Sequence, residues 1–290
     1  MTIDPLVSTD WLAERLDDPD LRVVDIRGYV KKTPMGEGRQ RAEYLAAREE
    51  YDEAHVPGSV YVDWTRDITD PDDPVPVQVA PPERFAKLMA SLGIGDDTRV
   101  VVYDAAGGQF ATRLWWALTY YGHDQVYVLD GGWKKWTAEG RPTTPVVPAP
   151  APATFTPRPH PGWRMEAKDV LAASERGAFI LDARDEGQYR GAIARGEGRA
   201  GRVPGAAHLH ADSLFDPESG TFLPDEELIE RLREVGVPED RDEPVVAYCN
   251  GGVAATVLLF VLHRLGHANL ANYDGSWNEW GARENLPAER

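Results

Sequence analysis

The sequence predicts an α/β fold of two similar halves, each with a mostly parallel sheet flanked by helices. Short β-branched runs alternate along the chain with segments of helical apolar spacing, a pattern typical of parallel sheets covered on both faces. Four short motifs of the first half recur in the same order in the second half. At 290 residues the chain exceeds the common single-domain size, so two compact domains are expected.

The internal repeat is the main evidence for two similar halves, because four collinear matches are hard to obtain by chance. The motifs include a strand that ends in Asp-x-Arg, a Val-Pro-Gly turn and an Asp-Gly-x-Trp segment. The matched pairs are 23–27 with 180–184, 55–59 with 202–206, 101–104 with 246–249, and 130–136 with 274–280. The chain therefore contains a duplicated domain.

Each half shows the same succession of elements. Ser8 is an N-cap candidate for the first helix, and the later helices carry apolar residues at helical spacing. Short β-branched runs indicate the strands. The predicted helices are 8–16, 82–92, 110–121, 166–175, 225–235 and 253–265, and the predicted strands are 21–26, 99–103, 126–129, 179–181, 245–248 and 268–272.

A proline-rich segment separates the two halves, with prolines recurring from Pro142 to Pro161. Proline fixes φ and favours extended backbone, so this segment is expected to be a semi-rigid connector that runs over the surface. We therefore predict an N-terminal domain over 1–145, a linker over 146–162 and a C-terminal domain over 163–290.

The composition limits the classes of partner. A formal net charge of −17 argues against nucleic acid and anionic membranes, which bind basic surfaces. The single cysteine excludes an intramolecular disulfide and fits a reducing compartment. No secretory signal and no apolar stretch of membrane length are visible. We expect a cytoplasmic monomer without a nucleic-acid or membrane partner.

The loop that begins at Cys249 is the candidate active site. In parallel sheets the ligand lies beyond the carboxyl ends of the strands, and Cys249 directly follows a predicted buried strand. Two glycines and a predicted helix come next, so several backbone N–H groups and the helix dipole point towards one place. Such a site stabilises a thiolate, which is the nucleophilic form of cysteine.

This loop resembles the active-site loop of rhodanese-like sulfurtransferases, in which a cysteine opens a Cys-x-x-Gly-Val-x sequence. The resemblance extends over nearly the whole chain, through the Asp-x-Arg strand ends, the His-Val-Pro-Gly segment and the Tyr-Asp-Gly-Ser-Trp segment near the end. Together these features are typical of the tandem-domain thiosulfate and 3-mercaptopyruvate sulfurtransferases. The resemblance implies two tandem rhodanese-like domains, the first catalytically inactive because Asp104 stands at the cysteine position.

The same resemblance implies a chemistry for Cys249. Its thiolate would take the sulfane sulfur of a small anionic donor, release sulfite or pyruvate, and pass the sulfur from a persulfide to a thiol or cyanide. A thioredoxin-like protein is one candidate acceptor, and no metal or organic cofactor is needed. The loop N–H groups that would stabilise the persulfide belong to Asn250, Gly251, Gly252, Val253 and Ala254.

The cations near the loop bear on the choice of donor. Thiosulfate-specific members carry basic residues in the two positions after the cysteine, whereas Asn250 and Gly251 are uncharged and closer to the mercaptopyruvate pattern. Arg195 matches one arginine of the family. Gln188 stands where a second family arginine is expected, and Arg190 is a nearby candidate to replace it. We therefore favour 3-mercaptopyruvate over thiosulfate as the donor.

The same region disfavours other functions. A rhodanese-fold phosphatase needs an arginine to close the loop, and Ala255 and Thr256 stand there instead. His208 and His210 would share one strand face, but two ligands do not make a zinc site. Arg184 is expected to be structural and can also add positive field to the site. A non-enzymatic persulfide carrier or a regulatory rhodanese-fold binding module remains the alternative function.

Overall fold

The computed structural model describes residues 4–105, 107–196 and 198–290, so residues 1–3, 106 and 197 lie outside the description. Each half contains a five-stranded sheet flanked by helices, so the predicted α/β fold is confirmed. The strands of the first half are β1 (Leu6–Val7), β2 (Leu21–Asp25), β3 (Gly28–Gly36), β4 (Arg39–Ala46), β5 (Val60–Tyr61), β6 (Arg99–Tyr103) and β7 (Val126–Leu129). Its helices are α1 (Thr9–Ala13), α2 (Arg48–Glu53), α3 (Pro82–Ser91), α4 (Gln109–Tyr120) and α5 (Gly132–Ala138).

The second half repeats this succession with fewer strands. Its strands are β8 (Arg164–Met165), β9 (Phe179–Asp182), β10 (Ala194–Arg195), β11 (Ala207–His208), β12 (Val245–Tyr248) and β13 (Leu270–Tyr273). Its helices are α6 (Ala167–Glu175), α7 (Glu186–Tyr189), α8 (Asp225–Glu234), α9 (Ala255–Arg264) and α10 (Ser276–Trp280), with a 3₁₀ turn at Ala211–Leu214. No helix in the described ranges has both the length and the apolar character needed to cross a bilayer.

The two five-stranded sheets are parallel and share one strand order. In the first sheet the order is β1-β7-β6-β2-β5, and in the second it is β8-β13-β12-β9-β11. The central strands β6 and β12 are almost entirely apolar without alternation, as expected for strands that helices cover on both faces. Asp104 and Cys249 are the first residues beyond the carboxyl ends of these two central strands.

An antiparallel hairpin of β3 and β4 joins the two halves and was not predicted from the sequence. β4 pairs with β3 on one side and in parallel with β10 of the second half on the other, forming a three-stranded sheet. The hairpin has no counterpart among the described residues of the second half, and most of its residues are exposed. The repeat and the apolar periodicity therefore gave no indication of it.

The two halves also meet through α4 and α9, the helices that follow the central strands. α4 is buried from Phe110 to Thr119, as expected for a helix with apolar neighbours on every side. The hydroxyl groups of Thr112 and Thr256 lie 2.9 Å apart across this contact. The contact places equivalent positions of the two helices opposite each other.

The proline-rich segment runs along the first half without a helix or strand between residues 145 and 160. Backbone hydrogen bonds attach it there, from the N–H of Ala153 to the carbonyl of Ala90 and from the N–H of Arg158 to the carbonyl of Tyr121. The side chain of Phe155 is buried against Phe85. The segment is thus held against the surface of the first half.

Each half contains the same buried ion pair at the end of a strand. In the first half Arg27 lies 2.8 Å from the Asp25 carboxylate, which also accepts a hydrogen bond from the Tyr103 hydroxyl. In the second half Arg184 and Tyr248 contact Asp182 in the same way. Burial raises the pKa of both tyrosines well above the usual value, so their hydroxyl groups remain donors to the carboxylates.

We expect Asp25→Ala to lower the free energy of unfolding by about 3–5 kcal/mol, because it leaves the buried Arg27 cation without its partner. Urea denaturation followed by circular dichroism measures the change. The control is Asp52→Ala, which removes the partner of the exposed Arg48 and should cost less than about 1 kcal/mol. Equal losses in the two variants would contradict a structural role for the Asp25 pair.

Candidate active site

Cys249 lies at the floor of a cleft between the two halves. It joins β12 to α9, is only 4% exposed, and lines a cavity of about 250 Å³. The cavity begins beyond the carboxyl end of the central strand, where the topology of a parallel sheet puts ligands. Of the predicted loop residues, those that line the cavity with Cys249 are Asn250, Gly251, Val253 and Ala254.

The N-terminal end of α10 holds the Cys249 loop in place. The Ser276 hydroxyl accepts hydrogen bonds from the N–H groups of Cys249 at 3.0 Å and Gly252 at 2.9 Å, and donates to the carbonyl of Tyr273. The N–H of Trp277 donates to the carbonyl of Cys249. These bonds fix the backbone of the loop on the side that faces away from the cavity.

The two glycines of the loop are required by close approach. A Cβ atom at Gly251 would lie 2.5 Å from a methyl group of Val77, which comes from the first half. Gly252 has a φ of +70° and faces Asp274 so closely that a Cβ atom would lie 2.7 Å from its carboxylate. A side chain at either position would displace the loop from its supports.

The junction between loop and helix presents backbone N–H groups. Within the described chain the N–H groups of Val253, Ala254 and Ala255 have no hydrogen-bond acceptor. Thr112 and Thr256 occupy equivalent positions of the two helices and face each other. Counting back along each helix from these residues, Ala254 and Ala255 correspond to Phe110 and Ala111 of the first half. The first half therefore provides a direct comparison for what these donors can bind.

In the first half the N–H groups at the loop–helix junction, which include the counterparts of Ala254 and Ala255, bind a carboxylate. The Asp104 side chain accepts hydrogen bonds from the N–H groups of Gly108 at 3.0 Å, Phe110 at 2.7 Å and Ala111 at 2.9 Å. The adjacent space is only about 20 Å³, because Phe215 and Phe222 of the second half pack against it. The loop–helix junction is thus an anion-binding arrangement, and in the first half the chain's own carboxylate occupies it.

The first half contributes a large share of the cleft around Cys249. None of these contributors could be identified from the sequence, because the hairpin and the loops that carry them reach the site only in three dimensions. Lys32 is the one cation among them. The only feature of the sequence that could have indicated it is the Lys31-Lys32 pair. The contributing residues are Val30, Lys32, Tyr44, Trp64, Val77 and Gln109.

Two cations of the cleft retain capacity to bind an anion. Arg195 lies on β10 next to the hairpin, 5.8 Å from the ring centre of Tyr44, and has no carboxylate within ion-pair distance among the described residues. Lys32 has a loose contact of 3.7 Å with Asp185. Both side chains line the cavity that contains Cys249.

Arg184 lines the cavity as well, but its guanidinium group is already bound. It contacts Asp182 at 2.6 Å and donates to the carbonyl of Gly201 at 2.8 Å. Burial by itself would lower the pKa of Arg184, but the Asp182 carboxylate outweighs this effect and raises it. Arg184 therefore remains a permanent cation whose charge is largely balanced by Asp182.

Arg190 lies outside the cleft, in contrast to its proposed place near the donor. It follows α7, is exposed and pairs with Glu186 on the surface. Gln188 is buried and donates to Asp185 at 2.7 Å. Because Lys32 contacts the same Asp185 carboxylate, Lys32 is the cation beside the Gln188 position.

His208 and His210 do not form a pair of ligands. His208 bonds to the carbonyl of Arg184 and stacks on Tyr189, whereas His210 lines the cavity and lies 3.6 Å from Asp212. In the ranges that the structure describes, no group of three or more His, Cys, Asp and Glu side chains is arranged to hold a metal ion.

Known proteins resemble the chain over almost its whole length. The 3-mercaptopyruvate sulfurtransferase of Escherichia coli K12 is 33% identical over 286 residues, which cover 98% of this chain and 97% of that protein. The sulfur carrier protein TtuD of Thermus thermophilus is 35% identical over 295 residues, which cover 97% of this chain and 95% of that protein.

The fold of the chain also resembles that of a solved protein structure. The crystal structure of SseA from Escherichia coli, described as a 3-mercaptopyruvate sulfotransferase with the rhodanese fold, aligns with a TM-score of 0.81 at 31% identity. The alignment covers 95% of this chain and 99% of that one. A family model described as a rhodanese-like domain matches residues 8–139 and again residues 166–283. The chain therefore belongs to the rhodanese family, as a member with two tandem domains.

Proposed function

We propose that this protein is a sulfurtransferase that moves a sulfane sulfur from 3-mercaptopyruvate or thiosulfate to an acceptor through a persulfide on Cys249. The observation that carries the proposal is a cysteine at the floor of a cleft, beside N–H groups whose counterparts bind a carboxylate. The relative named 3-mercaptopyruvate sulfurtransferase supports it. In this proposal residues 163–290 form the catalytic domain, residues 1–145 the inactive one and residues 146–162 the linker.

The proposed reaction has two nucleophilic steps. In the first, the Cys249 thiolate attacks the outer sulfur of thiosulfate or the thiol sulfur of 3-mercaptopyruvate. A new S–S bond forms, and the S–S bond of thiosulfate or the C–S bond of 3-mercaptopyruvate breaks. The bonding electron pair leaves with sulfite, or with the pyruvate enolate, which then takes up a proton. In the second, a thiolate or cyanide attacks the outer sulfur, and Cys249 leaves as a thiolate.

The loop N–H groups supply the electrostatic part of this mechanism. A persulfide extends the side chain of Cys249 by one atom and carries negative charge. The donors of Val253, Ala254 and Ala255 would stabilise that charge as an oxyanion hole does, because they are fixed before the reaction begins. The Asp104 carboxylate, bound to the N–H groups of Phe110 and Ala111, supports this assignment for their counterparts Ala254 and Ala255.

Arg195 and Lys32 are proposed to bind the carboxylate of the donor. They line the cavity from β10 and from the hairpin, and Arg195 has no carboxylate partner among the described side chains. A planar guanidinium group matches a carboxylate in a way that a neutral side chain cannot. Asn250 and Gly251 add no positive charge at the loop itself, which favours 3-mercaptopyruvate over the thiosulfate dianion.

The relative named sulfur carrier protein favours a second candidate function, a persulfide carrier that delivers one sulfur to a protein partner. Repeated turnover with cyanide or a small thiol would support the transferase. Release of a single sulfur, and only to a protein thiol, would support the carrier. For either function we expect a cytoplasmic monomer whose acceptor is a thiol, with a thioredoxin-like protein as one candidate.

We expect Cys249→Ser to abolish sulfur transfer from both donors, because a hydroxyl group cannot form a persulfide. Thiocyanate formation from cyanide measures the loss. Intact-protein mass spectrometry of the wild type should show a gain of about 32 Da, one sulfur, after exposure to donor, and cyanide should reverse it. Normal activity in a folded Cys249→Ser variant would overturn the proposed function.

We expect Arg195→Met to raise KM for 3-mercaptopyruvate about 10- to 100-fold, as the loss of one charge-assisted hydrogen bond implies, while kcat changes less. Lys32→Met should act in the same direction. Initial-rate kinetics at fixed cyanide concentration measure both variants. Arg190→Met is the matched control, because its exposed side chain lies outside the cavity, and a comparable rise in its KM would contradict the assignment.

We expect the wild type to have a higher kcat/KM for 3-mercaptopyruvate than for thiosulfate. The physical reason is the uncharged loop at Asn250 and Gly251, which offers no cation to the thiosulfate dianion. Both donors should be compared with cyanide as the common acceptor. A large preference for thiosulfate would overturn this interpretation of Asn250 and Gly251.

A further inference from the structure

Arg113 of the first domain reaches across to the loop that carries Cys249. It lies on α4 and is only 2% exposed, with its guanidinium carbon 4.6 Å from the ring centre of Trp116. Its Nη1 atom contacts the Asp274 carboxylate at 2.6 Å and the carbonyl of Gly252 at 3.2 Å. Arg113 does not line the cavity, so it acts on the loop from behind.

The contact with Gly252 determines where the next N–H group points. The carbonyl of Gly252 accepts hydrogen bonds from Arg113 and from the side chain of Asn272 at 2.9 Å. In a planar trans peptide the carbonyl and the N–H point in opposite directions. Holding this carbonyl therefore directs the N–H of Val253 away from Arg113, and Val253 lines the cavity.

Arg113 also holds the wall opposite the loop. Its Nη2 atom donates to the carbonyl of Val77 at 2.9 Å. Val77 is β-branched and has a φ of +63°, a conformation that persists only where surrounding contacts impose it. Asp274, the partner of Arg113, binds the next two residues by accepting from the side chain of Gln78 and from the N–H of Val79.

Among the described residues this arrangement is present on one side of the duplicated structure. Asp130 corresponds to Asp274 and accepts from the N–H of Phe222, just as Asp274 accepts from the N–H of Val79. The residue of α9 that corresponds to Arg113, counted from the Thr112–Thr256 contact, is Val257. The fold is thus built without an arginine at this position in one copy, and the arginine accompanies the loop that holds the cysteine.

We propose, on the basis of the persulfide chemistry above, that Arg113 is a positioning residue for sulfur transfer. Its guanidinium fork fixes the Gly252–Val253 peptide and the Val77 wall together, so that the loop N–H groups are oriented before the persulfide forms. The inactive domain then supplies the fork that keeps the catalytic loop in its working geometry.

The test measures the rate of persulfide formation by Arg113→Met in a single turnover. Mass spectrometry or a fluorescence change monitors the reaction. We expect the rate to fall about 10²-fold, because a small displacement of preorganised groups lowers a rate by about this factor. The amplitude and the KM for the donor should stay unchanged. A loss of folded protein alone would instead lower the amplitude of the reaction.

Arg164→Met is the matched control, because Arg164 also pairs with Asp274, at 3.4 Å, but has no contact with Gly252 among the described hydrogen bonds. It should stay within about fivefold of the wild type.

Arg113→Lys keeps the charge beside Asp274 but lacks the planar fork, so its rate should fall between those of the wild type and Arg113→Met. This variant also serves as the test if Arg113→Met does not fold. A wild-type rate in folded Arg113→Lys or Arg113→Met, or an equal loss in Arg164→Met, would overturn the inference. Sulfur transfer by Cys249→Ser would instead overturn the proposed function, so the two failures are distinguishable.

Discussion

The contact between α4 and α9 is the constraint on which the cleft depends. Both helices begin at the loops that follow the central strands, so packing one against the other brings each loop against a segment of the opposite half. The N–H of Val79 reaches Asp274 on one side, and the N–H of Phe222 reaches Asp130 on the other. The cleft around Cys249 is therefore a property of the pair of domains and not of the domain that contains the cysteine.

The parts of the structure that could be predicted from the sequence are those set by local burial. The strands at 99–103 and 245–248 are apolar without alternation because helices cover both of their faces, and this pattern is visible in any single sequence. Once these strands are assigned, the topology of a parallel sheet fixes the place of Cys249. The lack of positive charge at Asn250 and Gly251 is likewise visible in the sequence, because both residues belong to the same loop as Cys249.

The residues that could not be predicted reach the site through contacts between the halves. Lys32 lies on a polar hairpin without a counterpart in the repeat, and Arg113 looks like one more member of a buried helix. Counting along the sequence puts Arg190 beside the position of Gln188, whereas the turn of α7 directs it to the surface and Glu186. The presence of Lys32 in the cleft and the absence of Arg190 from it are thus decided by strand pairing and helix direction, which no short motif records.

The Asp104 carboxylate limits what the first half could bind. It accepts hydrogen bonds from the N–H groups of Gly108, Phe110 and Ala111, and Phe215 and Phe222 of the second half line the small space beside it. A cysteine introduced at residue 104 alone would therefore give the first half a thiol without a chamber for a ligand. A second site like that of Cys249 would need changes in both halves at once, so the difference between the copies is maintained by their packing.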